Sequence, residues 1–474
     1  MLFSSIVFLA YFLPCVLVAY HLCRFLRPIQ NLILLLFSLL FYAWGEPWFV
    51  FVMIASITVN YVFGRLVDHF RERRIAIRII MTSMVAFNLG ILFVFKYLTF
   101  VLRNIWAISG NWVEAPKIVL PIGISFFTFQ AMSYVIDVYR KDANVQKNPL
   151  YFGLYIAFFP QLIAGPIVAY HVIEDQIRKR TDSLRKVSIG VCRFVSGLGK
   201  KVLIANSMAT VADHIFTMCE KGAISAPLAW LGSIAYTLQI FFDFSGYSDM
   251  AIGLGLMFGF KFQENFNYPY ISQSMTEFWR RWHISLAQWF RNYVYIPLGG
   301  SKGNADKTIR NMFIVWVLTG IWHGAEWTFV IWGVYNFVFI FIERLLKIKD
   351  RKGYSVWRHI YTLLAVNFGM VIFRATTHIE AGKYLGSMFG IGNGDTRWQD
   401  GYTWMFLKEN AVFFIAAVLF STPIARRVNK VLTDGRRLGF VLDGCYPVAI
   451  LLVFVICITY MVKGTYNPFV YFNF

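Results

Sequence analysis

The chain has 474 residues, of which 58% are hydrophobic, 19% aromatic and only 15% charged. Soluble globular proteins carry about 25% charged residues, so this composition excludes a soluble multidomain enzyme, and its hydrophobicity excludes a disordered chain. The formal net charge of +20 would suit a nucleic-acid-binding protein, but the apolar content does not. The sequence therefore predicts a polytopic membrane protein with no nucleic-acid partner.

Apolar runs recur from the first residues to the last. A membrane-spanning helix needs about 20 mostly apolar residues, and the chain offers eleven or twelve such runs, some of them short. The predicted spans are 3–23, 30–44, 48–64, 79–98, 118–138, 227–243, 247–260, 311–325, 328–346, 359–373, 408–425 and 441–462. The predicted fold class is all-α.

The distribution of basic residues predicts the orientation of these spans. Cytoplasmic loops of membrane proteins are rich in Lys and Arg. Arg24 and Arg27 follow the first run, four arginines follow the third between 71 and 78, and the loop 45–47 has none. We therefore expect the N-terminus outside, the basic loops in the cytosol, and a multi-pass protein of the cell membrane.

Two stretches interrupt this alternation. The apolar run 150–167 has basic loops on both sides, so we expect it to enter the membrane and return; its helix breakers are Pro160, Gly165 and Pro166. Such backbone is tolerated only when other helices or water cover it. The stretch 187–206 carries Arg193, Lys200 and Lys201, which predicts a helix lying along the cytosolic surface.

Polar residues in the segment 241–250 lie where two apolar runs meet. Asp243 and Asp249 flank Gly246, which predicts a turn between the two spans. Ionisable groups inside a membrane are costly and indicate function. The alternative is a polar surface loop that caps the second helix.

The stretch 261–303 alternates tryptophan with arginine. Phe278, Trp282, Trp289 and Tyr293 recur at spacings of 4, 7 and 4, which predicts one helix lying in the membrane interface. The neighbouring Arg280 and Arg281 either hold an anionic ligand or lipid phosphate, or form a basic interfacial belt. His283 lies among these aromatic residues, where a neutral imidazole needs a hydrogen-bond partner.

A second histidine, His323, lies between two apolar runs in the stretch 319–333. Histidine is the side chain best suited to move a proton near neutral pH. Gly320 and Gly324 predict an uncovered backbone that a substrate can approach. A lone membrane histidine is often structural, but two in tryptophan-rich surroundings favour a site. No His-x-x-His spacing is present, so we expect no metal.

Several long motifs resemble one known family. The stretches are LPIGISFFTFQAMSYVIDVYR (120–140), LIAGPI (162–167), FFDFSGYSDMAIGLGLMFGF (241–260), ENFNYPYISQSMTEFWRRWHISLAQWFRNYVYIPLGG (264–300) and GIWHGAEWTFVIWG (320–333). They resemble the membrane-bound O-acyltransferases, and most closely the bacterial branch of alginate O-acetylation (AlgI-like) proteins. The resemblance is strong over residues 1–345 and diffuse afterwards.

The resemblance implies a fold and a reaction. It implies one integral-membrane domain, with N-terminal spans in 1–140, a catalytic core with re-entrant and interfacial helices in 150–345, and C-terminal spans in 346–474. The family moves an acyl group from a cytosolic thioester to a hydroxyl. His323 matches the family's invariant histidine, as general base or transient acyl carrier, and His283 matches its second histidine, at a position where many relatives carry Asn. The residues expected to bind substrate are Trp282, Trp322, Arg280, Arg281, Asp243, Tyr247 and Asn265.

The substrates stay open at this stage. The branch implies acetyl-CoA as co-substrate, with no bound cofactor, and the basic stretches 178–186 and 280–310 would attract its phosphates. A D-alanyl carrier protein is the other donor. The acceptor is alginate, another exopolysaccharide, peptidoglycan or teichoic acid, and a separate extracytoplasmic acetyltransferase is an expected partner, beside the membrane lipids. A transporter or channel with a histidine proton relay is the alternative from another class.

Overall fold

A computed structural model gives the arrangement of the chain. It describes all residues except 111–115, 117, 164, 349, 350, 352, 392–399, 425–435, 465 and 469–474, and the backbone only of 436–443. The predicted C-terminal region 346–474 is thus described in part. Within the described residues every regular element is helical and none is a strand, which confirms the predicted all-α fold class.

The helices follow one another along the chain with short connections. The α-helices are α1 (Leu13–Leu22), α2 (Arg27–Gly45), α3 (Phe49–His69), α4 (Arg74–Leu92), α5 (Leu98–Ser109), α6 (Ile124–Arg140), α7 (Pro149–Ala157), α8 (Phe159–Leu162), α9 (Tyr170–Arg178), α10 (Leu184–Gly199), α11 (Asn206–Lys221), α12 (Ala226–Met257), α13 (Met275–Arg281), α14 (Ile284–Phe290), α15 (Ala305–His323), α16 (Trp327–Leu345), α17 (Val356–Arg374), α18 (His378–Met388), α19 (Gly401–Glu409), α20 (Ala411–Phe420) and α21 (Arg436–Lys463). Segments with π-helical hydrogen bonding are Phe8–Phe12, Phe93–Tyr97, Lys200–Ala205 and Arg291–Tyr295, and Pro269–Ile271 forms a 3₁₀ turn.

Fewer helices than expected are both long and apolar enough to cross a membrane. In the described part of the chain six meet that test, or seven if the bent pair α19 and α20 is one span. The sequence runs predicted eleven or twelve. The runs 227–243 and 247–260 are not two spans joined by a turn, because α12 continues unbroken from the first run into the second and ends only at Met257. The protein is nevertheless a multi-pass membrane protein, as predicted.

Gly246 therefore has a different role from the predicted turn. A Cβ atom at this position would lie 2.8 Å from the carbonyl oxygen of Gly197 and 3.1 Å from the backbone nitrogen of Lys201. Real Cβ atoms do not approach backbone so closely, so the absence of a side chain lets α12 touch the neighbouring main chain. Small residues are used in this way at helix contacts in membranes.

Contacts between residues divide the described chain into two compact units. The N-terminal unit comprises Met1–Phe194 and Met250–Gln263, and the C-terminal unit comprises Val195–Asp249 and Glu264–Phe474. Both histidines singled out in the sequence, His283 and His323, belong to the C-terminal unit. The functional argument below rests on that unit alone.

The N-terminal unit contains the interrupted segment expected in 150–167. Helix α7 ends at Ala157 and α8 begins at Phe159, with Phe158 between them in a non-helical conformation (ψ 109°). The break comes before Pro160, which lies in the first turn of α8. Proline is tolerated there because the N–H groups of the first turn have no partner within the helix, so nothing is lost when one is missing. Phe158 and Phe159 are fully covered by other side chains, as backbone of this kind requires.

Arg180, expected among the phosphate-attracting residues, is instead part of the interior of the N-terminal unit. Its guanidinium donates to the Tyr20 hydroxyl at 3.0 Å, to the Phe258 carbonyl at 3.0 Å and to Asn31 Oδ1 at 2.7 Å. It also lies 4.2 Å from the centre of the Phe260 ring. A buried guanidinium with this set of acceptors joins the segments that bear them, whereas Arg178 is exposed.

The predicted surface helix 187–206 is wrong in its second half. Helix α10 starts exposed, with Leu184 at 89% of its maximal accessibility, but Phe194 is buried. Lys201 is also buried and pairs with Asp243. A lysine is tolerated in such a place only when its charge is compensated, and the sequence alone did not reveal that partner.

Helices α3 and α4 are joined by a pair of buried asparagines, which yields a stability prediction. Each amide nitrogen donates to the oxygen of the other residue, from Asn60 to Asn88 at 3.0 Å and from Asn88 to Asn60 at 2.8 Å. We expect N88A to destabilise the purified protein by about 0.6–2 kcal/mol, because both hydrogen bonds between the Asn60 side chain and α4 are lost. Thermal unfolding in detergent measures this, with T58V on the exposed face of α3 as control; equal melting temperatures for N88A and T58V would refute it.

Candidate active site

Helix α13 leads to the first histidine and is anchored at its start. The Ser274 hydroxyl accepts from the N–H of Glu277 at 3.0 Å, as an N-cap does. The buried carboxylate of Glu343 accepts from the N–H groups of Met275 and Thr276, the latter at 3.0 Å. A negative charge at these unpaired N–H groups stabilises the helix start. Glu343 belongs to α16, so α13 is held against the helix that follows His323.

His283 lies at a break between two short helices rather than inside one helix. The predicted continuous helix through Phe278 and Tyr293 is wrong, because α13 ends at Arg281 and α14 begins at Ile284. The backbone of His283 is left-handed (φ 47°, ψ 52°) and its side chain is buried. Non-glycine residues in this sparsely populated conformation cluster at functional sites. Burial lowers the pKa of the imidazole well below its ordinary value, so the ring is neutral at physiological pH.

Asn265 holds the chain on the far side of this break. Its carbonyl oxygen accepts from the Ile284 N–H at 2.9 Å. Its side-chain Oδ1 accepts from both the N–H and the hydroxyl of Ser285, at 3.1 and 2.9 Å. These bonds satisfy the first N–H groups of α14 and fix the backbone next to His283. Asn265 was predicted to bind substrate, and in the structure its side-chain oxygen is bonded to Ser285.

The two hydrogen bonds that Asn265 Oδ1 accepts from Ser285, here called the Asn265 clamp, predict different effects for two substitutions. In N265A both side-chain acceptor bonds are lost, and we expect at least a tenfold loss of activity, because small displacements of a reacting group are costly. In N265D the acceptor oxygen remains, and most activity should survive. Steady-state rates of both purified variants measure this. If N265D is as impaired as N265A, the amide nitrogen rather than the clamp matters.

The second histidine, His323, is the last residue of α15 and lies at a tight helical hairpin. A Cβ atom at Gly320 would lie 2.3 Å from the Phe329 carbonyl oxygen, and one at Gly324 would lie 2.1 Å from the Phe329 ring. The space beside both glycines is therefore occupied by Phe329 of α16. The prediction that they leave the backbone open to a substrate is wrong, and their role is to bring α15 and α16 into close contact.

Aromatic rings surround His323 on several sides. The centres of the Trp322, Trp332 and Phe373 rings lie 5.0, 5.1 and 5.1 Å from that of the imidazole, all edge-on. Such edge-to-face contacts fix the orientation of a ring. Trp332 in turn contacts Trp279 of α13 at 5.3 Å, so one set of rings joins α16 to the helix that precedes His283.

The two histidines line the same cavity, here called the histidine cavity. Its volume is about 200 Å³. Its walls come from α13, α14, α15 and the π-helical segment Arg291–Tyr295. The lining residues are Trp279, Trp282, His283, Leu286, Ala287, Phe290, Arg291, Tyr295, Val315, Trp316, Thr319 and His323. A mostly aromatic pocket with few polar groups is the usual form of a small-molecule site.

The predicted tryptophans lie at this site. Trp282 lines the histidine cavity and stacks on Phe278 with 5.4 Å between ring centres. Trp322 is buried behind it, with its ring centre 6.3 Å from His283 and 5.0 Å from His323. The structure thus brings together four of the predicted site residues.

The other predicted site residues, like Trp322, are not part of the cavity lining. Arg280 is exposed, and Arg281 binds Glu277 at 2.9 Å within its own helix. Asp243 and Tyr247 are buried in α12, where Asp243 pairs with Lys201 at 2.7 Å. Direct substrate contact by these four residues, and by Asn265, stays a prediction.

Most of the residues that line the cavity were not predicted as site residues from the sequence, and four of them illustrate why. Trp316 and Thr319 precede His323 by seven and four residues, so they share its face of α15, and this spacing was the signal that would have found them. Arg291 and Tyr295 come from a π-helical segment, whose altered periodicity no α-helical pattern predicts.

Comparison with known proteins identifies the family. The profile of the membrane-bound O-acyltransferase (MBOAT) family matches residues 93–377, which include both histidines. The chain belongs to this family. It is similar to a "Probable alginate O-acetylase AlgI" of Azotobacter vinelandii, 45% identical over 83% of this chain and 79% of the relative. It is also similar to a peptidoglycan O-acetyltransferase of Helicobacter pylori, 34% identical over 82% of this chain and 80% of the relative.

A teichoic acid D-alanyltransferase of Bacillus subtilis is a more distant relative, 29% identical over 53% of this chain and 68% of its own length. Membership of the MBOAT family makes this chain a membrane-bound acyltransferase. In this MBOAT protein His283 and His323 both lie within the matched region and line one cavity.

Proposed function

We propose that this MBOAT protein transfers an acetyl group from cytosolic acetyl-CoA to hydroxyl groups of an extracytoplasmic polysaccharide such as alginate. The observation that carries the proposal is the histidine cavity, in which His283 and His323 face one small aromatic space. The similarity to an alginate O-acetylase and to a peptidoglycan O-acetyltransferase supports acetyl as the acyl group and a glycan as the acceptor.

In the proposed reaction His323 acts as general base. An acceptor hydroxyl attacks the thioester carbonyl carbon while its proton passes to the imidazole. The carbon–sulfur bond breaks, and the proton returns to the leaving thiolate, which departs as the free thiol. General base assistance of this kind contributes about 10²–10⁴ in rate. The aromatic wall keeps water from the thioester and so limits its hydrolysis.

His283 has a separate role in this scheme. Because burial holds its ring neutral, one ring nitrogen donates and the other accepts a hydrogen bond. A donor aimed at the thioester carbonyl would stabilise the negative charge that develops there, as oxyanion-hole groups do. Arg291 lines the cavity and is exposed, so it supplies positive charge where an anionic donor would enter.

The surroundings of the reaction form part of the proposal. We place the protein in the cell membrane, with the donor arriving from the cytosol and the acceptor outside. A separate extracytoplasmic acetyltransferase receives the acetyl group or completes its transfer to the polysaccharide. The cavity of about 200 Å³ is smaller than the ~300–1,000 Å³ of pockets that enclose drug-sized ligands, so it suits the acetyl thioester end of the donor rather than the whole nucleotide.

Parallel donor assays test the proposal. Purified protein is supplied with acetyl-CoA or with a D-alanyl carrier protein, each labelled in the acyl group, together with a polysaccharide fraction and membrane extract. We expect release of free CoA and transfer of the acetyl label only. Transfer of the D-alanyl label would instead identify the function of the more distant relative. Release from neither donor would overturn the proposal, and so would acetyl-CoA passing intact into sealed vesicles.

A further inference from the structure

The C-terminal unit contains a buried ion pair that the proposed reaction does not use. Lys201 Nζ lies 2.7 Å from Asp243 Oδ1, and the two side chains are only 2% and 1% exposed. Removing two charges from water costs several kcal/mol per ion before their attraction offsets it. Charged groups as buried as these are retained only when they are paired, yet neither residue lines the histidine cavity.

The residue next to the pair is in contact with a catalytic candidate. The ring of Phe244 lies 5.0 Å from the imidazole of His283, centre to centre, and 5.7 Å from the ring of Phe266. Phe241, one helical turn earlier, lies 5.9 Å from Trp282. Residues three apart share one face of a helix. Helix α12 therefore presents a two-ring face, Phe241 and Phe244, to Trp282 and His283.

The ion pair lies on another side of the same helical turn. Successive residues of an α-helix are about 100° apart around its axis, so Asp243 faces away from the side that bears Phe244. There it meets the π-helical segment Lys200–Ala205, in which Lys201 also donates to the carbonyl of Pro468. Gly246 allows main-chain contact with the same segment. The helical turn 243–246 therefore contacts the segment Lys200–Ala205 on one side, and on another side the Phe244 ring contacts His283.

We infer that Lys201 and Asp243 are positioning residues of the acyltransferase site. Their ion pair fixes the rotation of α12 about its axis and its position along that axis. Helix α12 in turn holds the ring of Phe244 against the His283 imidazole. This inference rests on the proposed function of His283. It also assigns Asp243 a role different from the substrate contact predicted from the sequence.

A neighbouring pair provides a matched control. Lys200 Nζ lies 2.6 Å from Asp249 Oδ2, with exposures of 29% and 14%. It joins the same π-helical segment to the same helix, but Asp249 is five residues, about one and a half helical turns, beyond Phe244. If any bond between these elements sufficed, both pairs would have equal effects. The positioning role requires that only the pair at 243 affects His283.

The kinetic test uses K201M, D243N, the double variant K201M/D243L and the control K200M. We expect about a 10²-fold loss of kcat in K201M and D243N, with KM for acetyl-CoA within twofold, and wild-type kinetics in K200M. The double variant keeps the protein folded, since apolar replacement of both partners leaves no unpaired charge, but its kcat should stay low. F244L should reduce kcat likewise, and adding D243N to it should cost little more.

A second measurement does not depend on turnover. Diethyl pyrocarbonate modifies exposed imidazoles, and mass spectrometry gives the modification rate of His283 relative to the exposed His378. We expect a rise of at least threefold in K201M and D243N and no change in K200M. Unchanged His283 labelling in folded D243N overturns the positioning role, even if wild-type protein cleaves no thioester and the proposed function itself fails. A raised KM in D243N alone, with normal K201M, would assign Asp243 to substrate binding instead.

Discussion

Replacing His323 with alanine should reduce the rate of thioester cleavage by about 10²–10⁴-fold. The expected cause is loss of the group that removes the proton from the acceptor hydroxyl. The rings of Trp322, Trp332 and Phe373 around the site remain, so the KM for the donor should change little. Release of free CoA from acetyl-CoA by purified protein measures both quantities.

The control for this variant is H378A, which removes an exposed histidine far along the sequence from the histidine cavity. It should keep the wild-type rate. H323Q keeps much of the volume and polarity of the side chain but cannot act as a base near neutral pH, so it should be as inactive as H323A. Wild-type turnover by either His323 variant would remove the general base from the mechanism.

Replacing Arg180 with alanine should have the largest effect on stability, about 3–5 kcal/mol. The variant leaves Asn31 Oδ1 without its buried donor and removes one of the two donors to the Phe258 carbonyl, the other being the Tyr20 hydroxyl. The rings of Tyr20 and Phe260 also lose the guanidinium that they contact. The apparent melting temperature in detergent, and the yield of monodisperse protein, report this loss.

R180K distinguishes geometry from charge. A lysine keeps the positive charge but cannot donate to several acceptors in one plane, so R180K should recover only part of the stability. R178A, at the exposed neighbour, should unfold like the wild type. If R180A instead folds normally and only raises the KM for acetyl-CoA, the phosphate-attracting role expected from the sequence is right after all.

The sequence predicted the fold class correctly and singled out two histidines that the structure places at one cavity, for physical reasons. Long apolar runs predict membrane spans, and within lipid a single span must be helical because only a helix satisfies its own backbone hydrogen bonds. A histidine in an apolar run is conspicuous because ionisable residues are rare there. The position of His323 at the end of α15 agrees with its place between two apolar runs.

Contacts between distant residues account for what the sequence did not predict. The partner of Lys201 is 42 positions away, and nothing in either local pattern indicates the pair. Gly246 and Gly320 were interpreted from local conformation, as a turn and an open backbone. Each is explained by a helix from elsewhere in the chain that fills the space. Arg180 looked like a surface charge because its acceptors come from remote segments.

The left-handed backbone of His283 also limits which amino acids evolution can place there. In that conformation β-branched and bulky side chains are strained, whereas Gly, Asn, Asp and His are tolerated. The resemblance to the family indicates Asn in many relatives at this position. An exchange between His and Asn therefore requires no change of backbone, and both side chains can donate a hydrogen bond. The backbone conformation thus restricts which residue types can occur at position 283, and those that can occur there change the chemistry of the side chain without changing the fold of the site.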